Sequence, residues 1–106
     1  MWLIKFLTGP QAGKTAPLHE GRNVLGRSPK CDVVIPSANV SKEHAVIEIV
    51  NNKVQIMDMN SRNGTFVNGV QVRQHQLRPG ERFSFMEIIC EIEKRADTAK
   101  RVSGGA

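Results

Sequence analysis

Asp58-Met59-Asn60-Ser61-Arg62-Asn63-Gly64-Thr65-Phe66-Val67-Asn68-Gly69 packs two turns around one very short apolar run. Asn60, Asn63-Gly64 and Asn68-Gly69 accept positive φ, so the backbone can reverse twice within about a dozen positions, and no helix can form there. The segment therefore needs strands on either side to hold it. Its small hydrogen-bonding side chains and single guanidinium have the composition of a binding loop.

Working outward, His44 to Val50 alternates with Ala45, Ile47 and Ile49 inward, Asn51-Asn52 supplies a two-residue reversal, and Val54 and Ile56 alternate through the returning strand. This is a hairpin signal. Upstream, Trp2 to Leu7 forms a strand with Trp2, Ile4 and Phe6 on one face, Gly9-Pro10 turns, and Thr15 to His19 returns. Val24-Leu25 leads into a turn at Gly26-Arg27-Ser28-Pro29, Val33-Val34-Ile35 follows, and Ser37 to Glu43 is loop-like. Downstream, Gln71-Val72 and Gln76-Leu77 are short strand fragments, Pro79-Gly80 turns, and Phe83, Phe85, Ile88, Cys90 and Ile92 supply a closing pair. Short strands at close intervals without a helical period describe an all-β, antiparallel sandwich.

The 106 residues suffice for one domain with a single core and no disulfides. The net charge of +5 divides unevenly: residues 1–93 hold 11 Lys and Arg against 9 Asp and Glu, and residues 94–106 hold 4 against 1. We therefore read 1–93 as the folded domain and 94–106 as a basic flexible tail or linker. The near-balanced folded part has no Tyr, one Trp and no aromatic-basic interleaving, which argues against nucleic acid. Cys31 and Cys90 form no metal or disulfide pattern, and no apolar run is long enough to cross a membrane. A reduced, cytoplasmic protein without metal or cofactor is the expectation.

Gly9 to Thr15 resembles a phosphate-cradling P-loop but has three residues where the motif needs four, and Pro17 breaks the helix that should follow. It is a hairpin loop. Ser41, His44 and Asp58 suggest a nucleophile, base and orienter, yet no segment offers an oxyanion hole or substrate pocket, so catalysis is not expected. His19 and His75 are surface residues. Gly26-Arg27, Ser41-Lys42 and Arg62-Asn63-Gly64 all lie on loops that precede or join strands, and the loops of a sandwich gather at its ends. Their cations, hydroxyl and carboxamide suit a dianionic phosphate, since charge-assisted hydrogen bonds are worth about 1.5 to 3 kcal/mol each.

Gly26-Arg27, Ser41-Lys42-Glu43-His44, and Asp58 through Asn63-Gly64-Thr65 to Val67-Asn68-Gly69 together resemble the signature of the forkhead-associated (FHA) domain, in its usual order and spacing. The similarity covers about Leu3 to Glu93. It implies an eleven-stranded β-sandwich that binds phosphothreonine peptides through loops at one end and performs no chemistry. By that resemblance Arg27, Ser41, Lys42 and Arg62 contact the phosphate, and Asn63 bonds the peptide backbone beside the phosphothreonine, whose methyl enters a recess near the Asn63 loop. His44 braces the loops from within, Gly26 and Gly64 supply backbone geometry that a side chain would obstruct, and Asn68 is a loop-structuring residue with them. Lys42 stands where arginine is frequent, Arg62 where threonine is, and Asn60 where glycine is. Residues near Asn39 and from Arg62 to Asn68 are expected to set peptide choice beyond the phosphothreonine.

The partner implied is a phosphothreonine protein made by a Ser/Thr kinase, with this chain part of a larger signalling protein. Thr98 in the basic tail is a candidate ligand from the same polypeptide. The alternative from another class is an oligomerisation module that uses a sheet face, with Val46, Met57 and Met59 supplying apolar surface.

Overall fold

The computed structural model describes residues 1–95, and Thr98 lies outside them. Among the described residues eleven strands follow one another without a helix: β1 Trp2–Phe6, β2 Thr15–Leu18, β3 Gly21–Gly26, β4 Val33–Val34, β5 Ala45–Val50, β6 Lys53–Asp58, β7 Thr65–Val67, β8 Val70–Val72, β9 Gln74–Leu77, β10 Arg82–Phe85 and β11 Ile88–Lys94. They form a six-stranded sheet in the order β2-β1-β11-β10-β7-β8 and a five-stranded sheet in the order β4-β3-β5-β6-β9. All pairs are antiparallel except β3 with β4, which run parallel at one edge. The expected eleven-stranded sandwich is present, with that one departure from purely antiparallel pairing.

Alternation places the core between the sheets. Trp2, Ile4 and Phe6 from β1 and Phe83, Phe85, Ile88, Cys90 and Ile92 from β10 and β11 meet Leu25, Ala45, Ile47, Ile49, Val54 and Ile56 from the opposite sheet, all buried. Asn51 and Asn52 adopt φ of 52 and 63, so the β5–β6 hairpin turns through two left-handed residues and pairs Val50 with Lys53. Gly9 and Gly13 turn the chain between β1 and β2, with the Gly13 amide donating to the Phe6 carbonyl at 2.8 Å. The P-loop-like stretch is thus a hairpin connection.

Three details differ from the sequence reading. Thr65–Val67 is a strand in its own right, pairing with both β10 and β8, where the sequence shows only a short apolar run between turns. The paired backbone continues past Glu93: Lys94 belongs to β11, and the Arg95 amide donates to the Met1 carbonyl at 2.8 Å. Val46 offers no outer apolar surface; it lies between Val24 and Met57 on the flanking strands and is fully buried. Met57 is half-buried, and Met59, 39% exposed, stands beyond the end of β6.

The loops β3–β4, β4–β5 and β6–β7 and the β10–β11 turn share one end of the sandwich. The β5–β6 and β7–β8 turns and the last residues of β11 lie at the other, as the pairing registers require.

Candidate functional site

The β6–β7 loop is built around Asp58. Its Oδ1 accepts from the Ser61 hydroxyl at 2.6 Å and the Thr65 hydroxyl at 2.7 Å, and its Oδ2 accepts from the Ser61 amide at 3.0 Å. Burial alone would raise the carboxyl, but the Ser61 and Thr65 hydroxyls and the Ser61 amide outweigh it and hold Asp58 below its ordinary value. Ser61 Oγ also accepts from the Gly64 amide at 2.9 Å, while Asn60 and Gly64 take φ of 57 and 89. The reversal thus needs both its left-handed residues and its half-buried acceptor.

His44 joins this loop to the β4–β5 loop. It is fully buried, its ring lies tilted at 56° against that of Phe85 with centroids 4.6 Å apart, its Nδ1 accepts from the Ser41 amide at 3.0 Å, and its Nε2 faces the Gly64 carbonyl at 2.8 Å. Accepting at one nitrogen and donating at the other assigns the neutral Nε2–H tautomer. Ser41 Oγ in turn accepts from the Arg62 amide at 3.1 Å.

The β3–β4 loop closes on the same residues. The Arg27 amide donates to the Ser41 carbonyl at 3.0 Å and the Ser28 amide to the Lys42 carbonyl at 3.1 Å. A Cβ at Gly26 would stand 2.1 Å from the Lys42 carbonyl oxygen, so only glycine permits this approach. At Gly64 a Cβ would meet the Gln71 side chain at 2.7 Å. Arg27 Nε donates to the Val40 carbonyl at 3.1 Å, and Asn63 Nδ2 donates to the Asn39 carbonyl at 2.8 Å.

These contacts enclose a cleft of about 260 Å³ lined by Arg27, Ala38, Asn39, Val40, Ser41, Lys42, Arg62 and Asn63. It holds three cations, a hydroxyl and two carboxamides, and no carboxylate. Two larger depressions, of about 580 and 620 Å³, carry the acidic groups Asp58 and Glu81 among their walls. An anion is favoured where unopposed cations meet, which selects the smaller cleft.

The structure brings together Arg27, Ser41, Lys42, Arg62 and Asn63, with His44, Gly26 and Gly64 behind them. Asn68 is elsewhere: with φ 50 it turns the chain between β7 and β8 at the opposite end, and its Nδ2 donates to Glu81 Oε2 at 3.1 Å. The three residues of β7 carry the chain away from the cleft between Gly64 and Asn68, so Asn68 structures a turn at the far end and not the cleft loops. The hydrolase arrangement is not assembled, since His44 meets the Ser41 backbone rather than its hydroxyl, and Asp58 engages Ser61 and Thr65. His19 is exposed, whereas His75 is half-buried and 3.3 Å from Glu81. Two contributors beyond the expected site residues are Ser37 and Glu87. The Glu87 carboxylate accepts from the Ser37 hydroxyl at 2.8 Å and the Asn39 amide group at 2.9 Å. These partners lie 50 and 48 positions away, so no local motif announces them.

Among the described residues no group of acidic, cysteine or histidine side chains could hold a metal ion, and no helix is long and apolar enough to cross a membrane.

The FHA domain family model matches residues 23–86, more than half of the chain. The human protein "Mediator of DNA damage checkpoint protein 1" is 37% identical over 107 residues, spanning 92% of this chain and 5% of that protein. A solved structure from a structural and functional analysis of phosphothreonine-dependent FHA domain interactions superimposes with a TM-score of 0.83 at 27% identity, covering 91% of this chain and 98% of the other. The structure of Mycobacterium tuberculosis EmbR in complex with a low-affinity phosphopeptide gives 0.81 at 27% identity, over 91% of this chain and 25% of that one.

Proposed function

The chain belongs to the FHA domain family, and from that premise we propose that Arg27, Ser41, Lys42 and Arg62 hold the phosphate of a phosphothreonine while Asn63 bonds the peptide backbone beside it. The domain is a phosphothreonine-dependent protein–protein interaction module. FHA domains are binding modules, and we extend this to the chain as a non-enzyme: its serine, histidine and aspartate candidates are all committed to loop structure. The observation that carries the site assignment is the convergence of three loops on a cleft with three cations and no carboxylate. Phosphothreonine brings a charge of about −1.5 to −2 at neutral pH and three acceptor oxygens. A few charge-assisted hydrogen bonds of about 1.5 to 3 kcal/mol each reach the roughly 8 kcal/mol of a micromolar complex after ordering is subtracted.

The thiols of Cys31 and Cys90 are free, consistent with a reducing, cytoplasmic setting. We take the folded residues as one FHA domain, followed by a basic segment leading to other parts of a signalling protein.

Calorimetry with a peptide selected from a degenerate phosphothreonine library tests the assignment. Binding should require the phosphate, and Arg27→Ala or Ser41→Ala should each weaken it by about tenfold to a hundredfold with the fold intact. Equal affinity for the phosphorylated and unphosphorylated peptide overturns the function; undiminished binding by both variants overturns the site.

A further inference from the structure

The turn between β10 and β11 is held tightly. Met86 adopts φ 56, the Glu87 carbonyl accepts from the Thr8 hydroxyl at 2.6 Å, and Thr8 Oγ1 accepts from the Ile89 amide at 2.9 Å. The Glu87 carboxylate then crosses from the six-stranded sheet to a segment joined to the other sheet, taking the Ser37 hydroxyl on one oxygen and the Asn39 amide group on the other. That segment is itself compact: the Val40 amide donates to the Ser37 carbonyl at 3.0 Å and the Asn39 amide to Ser37 Oγ at 3.3 Å. Its consecutive carbonyls orient two cleft side chains, Asn39 taking Asn63 at 2.8 Å and Val40 taking Arg27 at 3.1 Å. Val40 is anchored by burial at 1% exposure, whereas Asn39 is exposed and gains its anchorage from polar contacts.

We propose that Glu87 is a positioning residue for phosphopeptide recognition: from outside the cleft it fixes Asn39, whose carbonyl holds Asn63 ready for the ligand backbone. This rests on the reading of Asn63 as a peptide contact. An exposed carboxylate on a turn ordinarily contributes little. Here it receives two directional donors from one segment, and that segment hands the constraint directly to the cleft. The hydrogen bond from Asn39, its own backbone amide and the Ser37 hydroxyl hold the Glu87 carboxyl below its ordinary value, as suits an acceptor ionised at neutral pH. Without the clamp, ligand binding must itself order Asn39 and Asn63.

The test is a double-mutant cycle by calorimetry with the selected phosphothreonine peptide, on Glu87→Ala, Asn63→Ala and the double variant. Glu87→Ala should weaken binding about twofold to tenfold, the equivalent of ordering one side chain on binding, with little change in Tm. In the Asn63→Ala background it should produce no further loss. Glu87→Gln should restore affinity, since its amide oxygen can accept from Asn39 while its NH2 donates to Ser37 Oγ. The side-chain amide resonances of Asn63 in the free protein should shift in Glu87→Ala and return in Glu87→Gln. Wild-type affinity in Glu87→Ala, an equal loss in both backgrounds, or unmoved Asn63 resonances overturns the proposal. If Asn63→Ala abolishes binding, those resonances decide. Failure of the underlying function would show separately, as wild-type binding that ignores the phosphate.

Discussion

Adding one methyl group at Gly26 should dismantle the cleft from behind. The new Cβ would lie 2.1 Å from the Lys42 carbonyl oxygen and 2.7 Å from its carbon, with Cys31 Sγ at 3.0 Å. Side-chain Cβ contacts essentially never fall below 3.0 Å, so β3 and the Ser41-Lys42 segment must separate by at least 0.9 Å, the difference between 3.0 and 2.1. Two backbone contacts between the residues just after β3 and this segment, Arg27 amide to Ser41 carbonyl and Ser28 amide to Lys42 carbonyl, are 3.0 to 3.1 Å long and would break. Overpacking of about 1 to 3 kcal/mol and two backbone hydrogen bonds at about 1 kcal/mol each give a destabilisation of about 3 to 5 kcal/mol. At about 4 to 8 °C per kcal/mol for a domain of this size, thermal unfolding should move down by about 12 °C or more. Phosphopeptide affinity, measured by calorimetry well below the new midpoint, should fall further than the unfolded fraction explains, because Ser41 has moved from Arg27. Gly13→Ala is the control: the new Cβ meets nothing within 4 Å, so the change carries only the backbone cost of a φ of 86, far from the cleft contacts, and should retain affinity. A Gly26→Ala protein with wild-type melting and binding would refute the close-approach argument.

His44→Ala leaves the buried Gly64 carbonyl and the half-buried Ser41 amide unpartnered; with about 1 to 3 kcal/mol for the buried group and less for the other, it should destabilise by about 1 to 4 kcal/mol, read by urea unfolding. Asp58 is depressed below its ordinary value of 3.8, so its contribution is complete above that pH and disappears as pH falls through the lower folded value. Acid unfolding below pH 3.8 should accordingly be steeper for the wild type than for Asp58→Asn, and parallel curves would contradict the assignment.

Local chemistry made much of this molecule legible. Alternation located the paired strands, Asn51-Asn52 announced its hairpin, and the left-handed tolerance of Asn60 and Gly64 marked the β6–β7 loop. The cleft residues stood out as cationic and polar groups in short loop motifs, and it was the resemblance of those motifs to the FHA signature that marked them as a binding site. Three features were not. Thr65–Val67 is too short to show a period and becomes a strand by pairing with β10, whose Phe83 and Ser84 are distant in sequence. The reach of Asn68 depends on which end of the sandwich its turn occupies, a matter of topology. Glu87 has ordinary sequence neighbours, and its importance appears when the sandwich brings Ser37 and Asn39 alongside.

The β6–β7 loop carries the chain across from the five-stranded sheet to the six-stranded one, so Arg62 and Asn63 ride on the crossover while Arg27, Ser41 and Lys42 stay with the sheet just left. A ligand gripped by both groups is therefore a removable rivet through the mouth of the sandwich. Pulled apart in a force experiment, the two layers should yield later with that rivet in place, and phosphorylation of a partner would set the mechanical strength of the domain as well as its occupancy.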